Sequence, residues 1–361
     1  MPTPWQRDLA TDRERLGRWL AARIPGAENL RLSELRAPQS SGFSNDTLLF
    51  EAEYSRGGRV QREALVARIQ PTGFQVFPEY DMGLQFRTLE LLAPTEVPVP
   101  RARWLEARDA SVLGAPFYVM DQVPGRVPPD NPPYHVTGWV TEISPDERAA
   151  LWWGGIECMA KIHRLDWRAV GFGFLDRPDR GKTALEQQLA YYADYLRWAA
   201  GGREQPTVEA AFAWLREHAP SGEPTVLSWG DARIGNILFD GTKPAAVLDW
   251  EMVGLGSPEM DLAWQIFLDK HHSVGIGQPR LAGFPSYEVT ALRYQELTGF
   301  TIRHLHYYEV FAGFRFGVIM LRLAQQLSTY GLMDEATGRA FERNNTVTRL
   351  LAQLLDLPEP R

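Results

Sequence analysis

Residues 229–251 read WGDARIGNILFDGTKPAAVLDWE, and this segment is the most informative part of the chain. Asp231 and Asn236 lie five positions apart in a loop-forming segment. Two short apolar runs follow, joined by a turn that contains Gly241, and this pattern is typical of a β-hairpin. The second run ends at Asp249. Because a hairpin returns the chain towards its start, we expect Asp231, Asn236 and Asp249 to lie close together.

These oxygen-bearing side chains suit phosphoryl transfer. Mg²⁺ prefers oxygen ligands, commonly one or two carboxylates together with phosphate oxygens and water. Phosphoryl transfer also needs a carboxylate that orients the attacking hydroxyl and accepts its proton. Asp231 can serve as that base, and Asn236 and Asp249 can hold the metal. Each residue alone is typical of a turn, but the ordered set is much more specific for this chemistry.

The rest of the chain divides into a β-rich first part and a helical second part. The first part holds strand-like runs at 29–35, 46–54, 60–69 and 117–120, with a helical pattern over 79–92. The second part is predicted to be helical over 145–165, 183–200, 207–218, 258–270, 286–298, 301–328 and 334–355, around a β interlude at 225–250. We therefore predict an α+β protein with a β-rich domain at 1–122 and a helical domain at 123–361.

Four segments carry a resemblance to a known family, namely Val119-Met120-Asp121, LDWRAVG at 165–171, Gly235-Asn236 and LDWE at 248–251. Together with the order of Asp231, Asn236 and Asp249, they resemble the aminoglycoside phosphotransferase and choline-kinase-like family over about residues 38–330. The likeness is greatest to the phosphotransferase branch associated with acyl-CoA dehydrogenases.

The resemblance implies a two-lobed protein-kinase-like fold, with a small antiparallel-sheet N-lobe and a larger, mainly helical C-lobe. It implies ATP and Mg²⁺ as cofactors and a small-molecule hydroxyl as the phosphoryl acceptor. Asp231 is then the catalytic base, and Asn236 and Asp249 are Mg²⁺ ligands. Asp261 is implied to be a buried support for the catalytic loop, although it also fits the first turn of a helix.

The nucleotide contacts implied by the same resemblance lie in the first domain. A turn of small residues at 40–46 occupies the position of the family's phosphate loop, and backbone N–H groups in such a turn can cover phosphates. Residues 120–123 occupy the position of the interlobe hinge, which offers backbone groups to adenine. The implied nucleotide-binding residues are Ser41, Gly42, Ser44, Asn45, Arg68, Met120, Asp121 and Val123.

Three positions depart from the family pattern. Arg68 stands where the family has a strand lysine, although a planar guanidinium can also bind phosphate oxygens. Gln85 stands where a helix glutamate would support that lysine, and Asp81, one turn earlier, is an alternative partner for Arg68. Trp229 replaces the histidine that usually precedes Gly-Asp. These changes leave open a second class of function, a pseudokinase-like module that binds a nucleotide or another ligand.

The composition of the chain restricts the classes of molecule that the protein is expected to bind. The net charge of −7 and the pI near 5.6 argue against nucleic-acid binding. Cys158 is the only cysteine, so we expect no disulfide and no cysteine-based metal site. No stretch approaches the roughly 18 apolar residues of a membrane span, and residues 1–15 lack the apolar core of a signal peptide. We therefore expect a cytoplasmic protein with no membrane partner. The sequence does not indicate an oligomeric state.

The sequence leaves two chemical classes of phosphoryl acceptor open. The resemblance to the dehydrogenase-associated branch implies a hydroxyacyl-CoA or a related hydroxy acid, and an aminoglycoside is the alternative. Aminoglycosides are polycations and demand an acidic pocket. Residues 286–361 carry as many arginines as aspartates and glutamates together, and this balance favours a neutral or anionic acceptor.

Overall fold

The structure is a computed structural model that describes residues 7–38 and 46–361. Its strands are β1 (Glu28–Leu32), β2 (Asp46–Arg56), β3 (Arg59–Ile69), β4 (Ala102–Glu106), β5 (Phe117–Asp121), β6 (Val226–Ser228), β7 (Ile237–Asp240), β8 (Lys243–Val247) and β9 (Gly254–Gly256). Its helices are α1 (Leu9–Ala21), α2 (Met82–Leu92), α3 (Trp139–Glu142), α4 (Pro145–His163), α5 (Trp167–Val170), α6 (Ala184–Ala200), α7 (Pro206–Glu217), α8 (Pro258–His271), α9 (Tyr287–Thr298), α10 (Leu305–Thr329), α11 (Glu335–Arg343) and α12 (Thr346–Leu354).

The chain forms two compact units. The first contains the described residues up to Ala93 together with Pro100–Val123, and the second contains Pro94–Val99 and Pro124–Arg361. Residues 94–99, which the sequence analysis placed in the N-terminal domain, thus group with the second unit. A backbone hydrogen bond of 2.7 Å from Val247 N–H to the Pro98 carbonyl joins this segment to β8 within the second unit.

The first unit is built on an antiparallel sheet with strand order β1-β2-β3-β5-β4. Leu16 of α1 is buried in one core with Phe50 of β2 and Phe117 of β5. Side chains alternate between the two faces of a strand. Because Leu65, Ala67 and Ile69 of β3 belong to this core, Arg68 lies on the opposite face of the sheet.

The second unit is organised around α10, which contacts α6, α7, α8, α11 and α12. Between α7 and α8 the chain forms two antiparallel pairs, β6 with β9 and β7 with β8. This is the β interlude predicted from the sequence, and the predicted α+β class is confirmed. Of the helices in the described ranges, none has the length and apolar character needed to cross a bilayer.

The single helix predicted at 334–355 is wrong, because α11 and α12 are separate helices. The Asn345 side-chain oxygen accepts hydrogen bonds from the backbone N–H groups of Val347 (2.9 Å) and Thr348 (3.1 Å). This is an N-cap in extended backbone. Asparagine forms such local bonds more readily than it continues a helix, so α12 starts afresh at Thr346.

Candidate active site

The loop that carries Asp231 connects β6 to β7. Gly230, the residue before it, has a φ of +89°, and a Cβ atom there would lie 2.0 Å from the Met252 carbonyl oxygen. Glycine alone combines this backbone conformation with such a close approach. The loop therefore packs directly against the segment that follows Asp249.

Asp261, in the first turn of α8, is fully buried beneath this loop. Its carboxylate accepts hydrogen bonds from the backbone N–H groups of Trp229 (2.7 Å) and Gly230 (3.1 Å), and from the Ser228 hydroxyl (2.7 Å). His163 Nε2 lies 3.0 Å from the same carboxylate. Burial acts to raise the pKa of Asp261, but the hydrogen bonds from His163 and Ser228 outweigh it and hold the pKa below its usual value. The buried carboxylate fixes the backbone on the N-terminal side of Asp231.

The Asp231 carboxylate is held by donors from its own loop and from α8. Asn236 Nδ2 donates to Oδ2 at 2.6 Å, and Trp264 Nε1 donates to Oδ1 at 2.8 Å. Arg233 Nε lies 3.1 Å from Oδ1 and 3.2 Å from Oδ2. The sequence analysis missed Arg233 and Trp264. The position of Arg233, two residues after Asp231 in the same loop, was the one available signal for its contact.

The structure brings Asn236 and Asp249 together through backbone pairing. The N–H of Leu248, which precedes Asp249, donates to the Asn236 carbonyl at 2.8 Å. Asp249 has a φ of +61°, an uncommon conformation for a residue other than glycine. Such outliers cluster at functional sites, where the surrounding structure maintains them.

The side chains present fit a Mg²⁺ site. Asp231 is an acceptor only, so Asn236 must direct its NH₂ group towards it. No described residue donates a hydrogen bond to Asn236 Oδ1, and this oxygen remains available as a ligand. Within residues 7–38 and 46–361, no group of three or more His, Cys, Asp or Glu side chains is placed to hold a metal. A site with Asn236 and Asp249 therefore needs phosphate oxygens and water to complete its coordination, as is usual for Mg²⁺.

Trp229, which departs from the family pattern, links the two loops of the site. Its indole is buried and donates from Nε1 to the Leu248 carbonyl at 2.8 Å. Its ring centroid lies 6.0 Å from that of Trp250. The tryptophan thus combines packing with one directed hydrogen bond to the residue before Asp249.

Arg315 of α10 is a buried cation that the sequence analysis also missed. Its Nη2 donates to the Gly230 carbonyl at 2.9 Å, and its guanidinium lies over the Trp264 ring at 4.6 Å from the centroid. A charged residue within the otherwise apolar run 310–321 was the available signal. Arginine over an aromatic ring is stabilised by the ring's electron-rich face.

Three of the predicted nucleotide residues, Arg68, Met120 and Asp121, lie on the neighbouring strands β3 and β5. Arg68 of β3 pairs in register with Tyr118 of β5, whose hydroxyl donates to Gln85 Oε1 at 3.3 Å. Arg68 and Gln85 are therefore associated with the same face of the sheet. Asp81, the suggested alternative partner of Arg68, is the N-cap of α2 and accepts from Leu84 N–H at 2.9 Å.

The predicted hinge residues lie at the end of β5. Met120 is paired within the sheet, and the Asp121 carboxylate forms an ion pair with Arg103 at 2.7 Å. The N–H groups of Asp121 and Gln122 donate to other backbone carbonyls. Among the described residues, Val123 has no such backbone partner. The predicted phosphate-loop residues Ser41, Gly42, Ser44 and Asn45 lie outside the described residues.

The profile of the phosphotransferase enzyme family matches residues 36–292, which is more than half of the chain. The chain belongs to this family. The predicted family and the predicted enzyme class, a phosphotransferase, are thus confirmed. A relative of this phosphotransferase, acyl-CoA dehydrogenase family member 11 of Gallus gallus, is 31% identical over 263 residues, covering 72% of this chain and 31% of the relative. The chain spans less than a third of the length of the first curated relatives it matches.

Solved structures share the fold of this phosphotransferase. A putative aminoglycoside phosphotransferase from Ralstonia eutropha has a TM-score of 0.66 at 25% identity, covering 94% of this chain and 96% of that chain. A thermostable mutant of aminoglycoside phosphotransferase APH(4)-Ia, in complex with AMP-PNP and hygromycin B, has a TM-score of 0.54 at 16% identity, covering 94% and 98%. The predicted two-lobed α+β fold is confirmed by these likenesses.

Proposed function

We propose that this phosphotransferase transfers the γ-phosphoryl group of ATP to a hydroxyl group of a small molecule, with Mg²⁺. The observation that carries the proposal is the orientation of the Asp231 carboxylate, which accepts hydrogen bonds from Asn236 Nδ2 and Trp264 Nε1. The side-chain oxygen of the same Asn236 accepts no hydrogen bond from a described residue and can bind a metal ion. A binding module needs no carboxylate oriented in this way. A solved structure with the same fold contains AMP-PNP, which supports a nucleotide as the phosphoryl donor.

In the proposed reaction the acceptor oxygen forms a bond to the γ-phosphorus while the bond from phosphorus to the β–γ bridging oxygen breaks. ADP leaves with that electron pair, and the acceptor's proton passes to Asp231 Oδ. Asp231 also orients the hydroxyl for in-line attack. Asn236 and Asp249 would hold Mg²⁺, which neutralises charge on the phosphate oxygens.

We further propose nucleotide contacts in the first unit. Arg68 supplies a permanent positive charge to the phosphates, and its fork can bind two oxygens at once. Val123 is the hinge residue whose backbone N–H stays open for adenine, since the N–H groups of Asp121 and Gln122 donate to other carbonyls. The phosphate loop, with Ser41, Gly42, Ser44 and Asn45, stays a prediction.

Two substitutions test the division of roles. We expect Asp249→Ala to abolish Mg²⁺-dependent ATP binding, because it removes the only carboxylate proposed as a metal ligand. We expect Asp231→Asn to keep ATP binding but to lower kcat by about 10²–10⁴-fold, because an amide cannot accept the proton. Calorimetry with ATP and Mg²⁺, together with ADP release, measures both effects. An equal loss of ATP binding in the two variants would contradict this division.

We propose a hydroxyacyl-CoA or hydroxy acid as the acceptor. The Gallus gallus relative is named as an acyl-CoA dehydrogenase family member, and this chain corresponds to less than a third of it. That name supports an acceptor in which the phosphorylated hydroxyl is carried by an acyl group. The balanced charge of residues 286–361 gives no acidic cluster for a polycation. The alternative is an aminoglycoside, which the name of the Ralstonia eutropha structure favours.

A panel of acceptors separates these candidates. We expect β-hydroxybutyryl-CoA to stimulate ADP release from Mg·ATP more than kanamycin does, because the balanced charge of residues 286–361 offers no acidic cluster to a polycation. Rapid phosphorylation of kanamycin without a response to the CoA ester would reverse the choice of acceptor and leave the kinase assignment intact. Tight Mg·ATP binding without turnover of any hydroxylated acceptor would favour the pseudokinase-like alternative.

A further inference from the structure

One half-buried aromatic ring interrupts the buried part of α10. All residues at 307–321 are buried except Phe316. Helix α8 is likewise buried over 258–269, and its last two residues, Lys270 and His271, are half-buried. Burial of apolar surface is the main driving force of folding, so a phenyl ring left partly uncovered in the central helix is a surface on which another apolar group can pack.

Phe316 contacts two aromatic residues of α8. Its ring centroid lies 5.8 Å from that of Trp264 and 5.1 Å from that of His271. Residues seven positions apart are about two helical turns apart, so Trp264 and His271 lie on the same face of α8. We call these three residues the aromatic wall. Because Trp264 Nε1 donates to Asp231 Oδ1 at 2.8 Å, the aromatic wall begins at the proposed base and extends to His271.

The aromatic wall carries no formal charge. Burial and the neighbouring His272 lower the pKa of His271 to about 3, so its imidazole is neutral near pH 7. Phe316 and Trp264 are uncharged at any pH. A surface of this kind attracts a hydrocarbon group through burial of apolar area and offers no ion pair to an ammonium group.

The carboxylates that flank the aromatic wall are already paired with cations. Asp130, whose charge acts on His271, forms an ion pair with Arg233. Glu309 of α10 forms an ion pair of 2.7 Å with Lys270, the residue before His271. A polycationic acceptor would have to break these pairs to bind the carboxylates, and breaking a partly buried ion pair is costly. The flanks of the aromatic wall therefore favour an acceptor without positive charge.

The position of the aromatic wall relative to Asp231 identifies what can cover it. A hydroxyl that reaches the base is carried by the rest of the acceptor, which must lie along a surface that meets Asp231. Asn236 contacts the carboxylate on the side of the proposed metal. Arg233 contacts it on a side where the guanidinium is also held by Asp130. Trp264 contacts it on the side that leads to the partly uncovered ring of Phe316.

We propose that Phe316 is a specificity-determining residue, against which the hydrocarbon chain of the acceptor packs while the acceptor hydroxyl reaches Asp231. This inference rests on the proposed function and adds to it the subsite for the acyl chain. Each CH₂ group that the chain buries strengthens binding by up to about 4-fold. The protein should therefore prefer hydroxyacyl acceptors with a longer chain.

The test compares β-hydroxybutyryl-CoA with β-hydroxyoctanoyl-CoA, whose chain is longer by four CH₂ groups, as acceptors for the wild type and for Phe316→Ala. We expect the wild type to prefer the longer chain by about 10-fold or more in kcat/KM. We expect Phe316→Ala to lose most of this preference through a higher KM for the octanoyl ester, because it removes binding rather than chemistry. An equal fall in kcat with both esters overturns the proposal, since displacement of Trp264 would produce it.

Phe316→Leu and Phe212→Ala are the control variants. Leucine keeps much of the apolar surface, so Phe316→Leu should retain most of the chain-length preference. Phe212 of α7 is also half-buried and packs against α10, with its ring centroid 5.2 Å from that of Phe314. Phe212→Ala should leave the preference unchanged. Loss of the preference in Phe212→Ala, or an equal loss in Phe316→Leu and Phe316→Ala, overturns the assignment of Phe316.

Binding of butyryl-CoA and octanoyl-CoA, which lack the hydroxyl, is a readout that does not depend on turnover. Calorimetry with Mg²⁺ and AMP-PNP present should show that the wild type binds octanoyl-CoA about 10-fold or more tightly than butyryl-CoA. Phe316→Ala should remove most of this difference. Equal Kd values for the two esters in the wild type overturn the inference, even if the protein proves to be a kinase. Chain-length-dependent binding that Phe316→Ala removes, without turnover of any hydroxylated acceptor, would refute the proposed function alone.

Discussion

At Gly230, the N–H group donates to the Asp261 carboxylate at 3.1 Å, and the carbonyl accepts from the Arg315 guanidinium at 2.9 Å. Both polar groups of one residue are thus tied to buried charges of opposite sign, one from α8 and one from α10. Such charge-assisted hydrogen bonds are stronger than those between neutral groups. The backbone next to Asp231 is therefore fixed from two sides before any substrate binds.

Gly230→Ala should destabilise the protein by about 3 kcal/mol or more, because the new Cβ meets a backbone carbonyl that cannot rotate away. Gly241→Ala is the matched control in the β7–β8 turn. Gly241 also has a positive φ, +60°, but no atom lies within 4 Å of its added Cβ. Only the conformational cost of about 1–2 kcal/mol applies there. Urea unfolding monitored by circular dichroism measures both, and equal losses would show that the loop shifts to accept a side chain.

The β7–β8 hairpin explains why much of the candidate site could be read from the sequence. Asp231, Asn236 and Asp249 lie within one short segment, where turn residues and apolar runs determine which positions meet. The partners of Asp231 from elsewhere could not be read in this way. Trp264 comes from α8, and its approach to Asp231 depends on how helices pack in three dimensions, which periodicity does not encode.

Helices α11 and α12 also show what periodicity in the sequence does not predict, namely where one helix ends and the next begins. The apolar spacing over 334–355 continues across both helices, so periodicity alone predicts one. The break depends on Asn344 and Asn345, which have extended backbone where the helix would continue. An asparagine can cap a helix through local hydrogen bonds or lie within a helix that tertiary packing stabilises. Here Asn345 caps α12.

The sole cysteine offers a way to follow the unfolding of the second unit separately from that of the first. The first unit has its own core beneath α1, whereas the sole cysteine, Cys158, lies in α4 of the second unit and is 2% exposed. Proteins with two cores need not unfold in a single step. The ionisation of Cys158 therefore reports on the second unit alone.

Cys158 should make stability fall at high pH. Burial raises the pKa of its thiol to about 12, whereas a thiol in an unfolded chain ionises near pH 8.5. Between these two values the folded state binds the proton that the unfolded state has lost, so the free energy of unfolding falls as pH rises. Between pH 8 and 10 the contribution lost is about 1–2 kcal/mol.

Urea unfolding of the wild type and of Cys158→Ala, at pH 8 and at pH 10, isolates this contribution. The tyrosines and arginines that also titrate at high pH are common to both proteins and cancel in the difference between them. Cys158→Ala carries a constant cost for the small cavity it creates, which does not change with pH. We therefore expect the stability advantage of the wild type to shrink by about 1–2 kcal/mol between the two pH values. A difference that stays constant would mean that the thiol ionises equally in the folded and unfolded chains, and that Cys158 is accessible to water in the second unit.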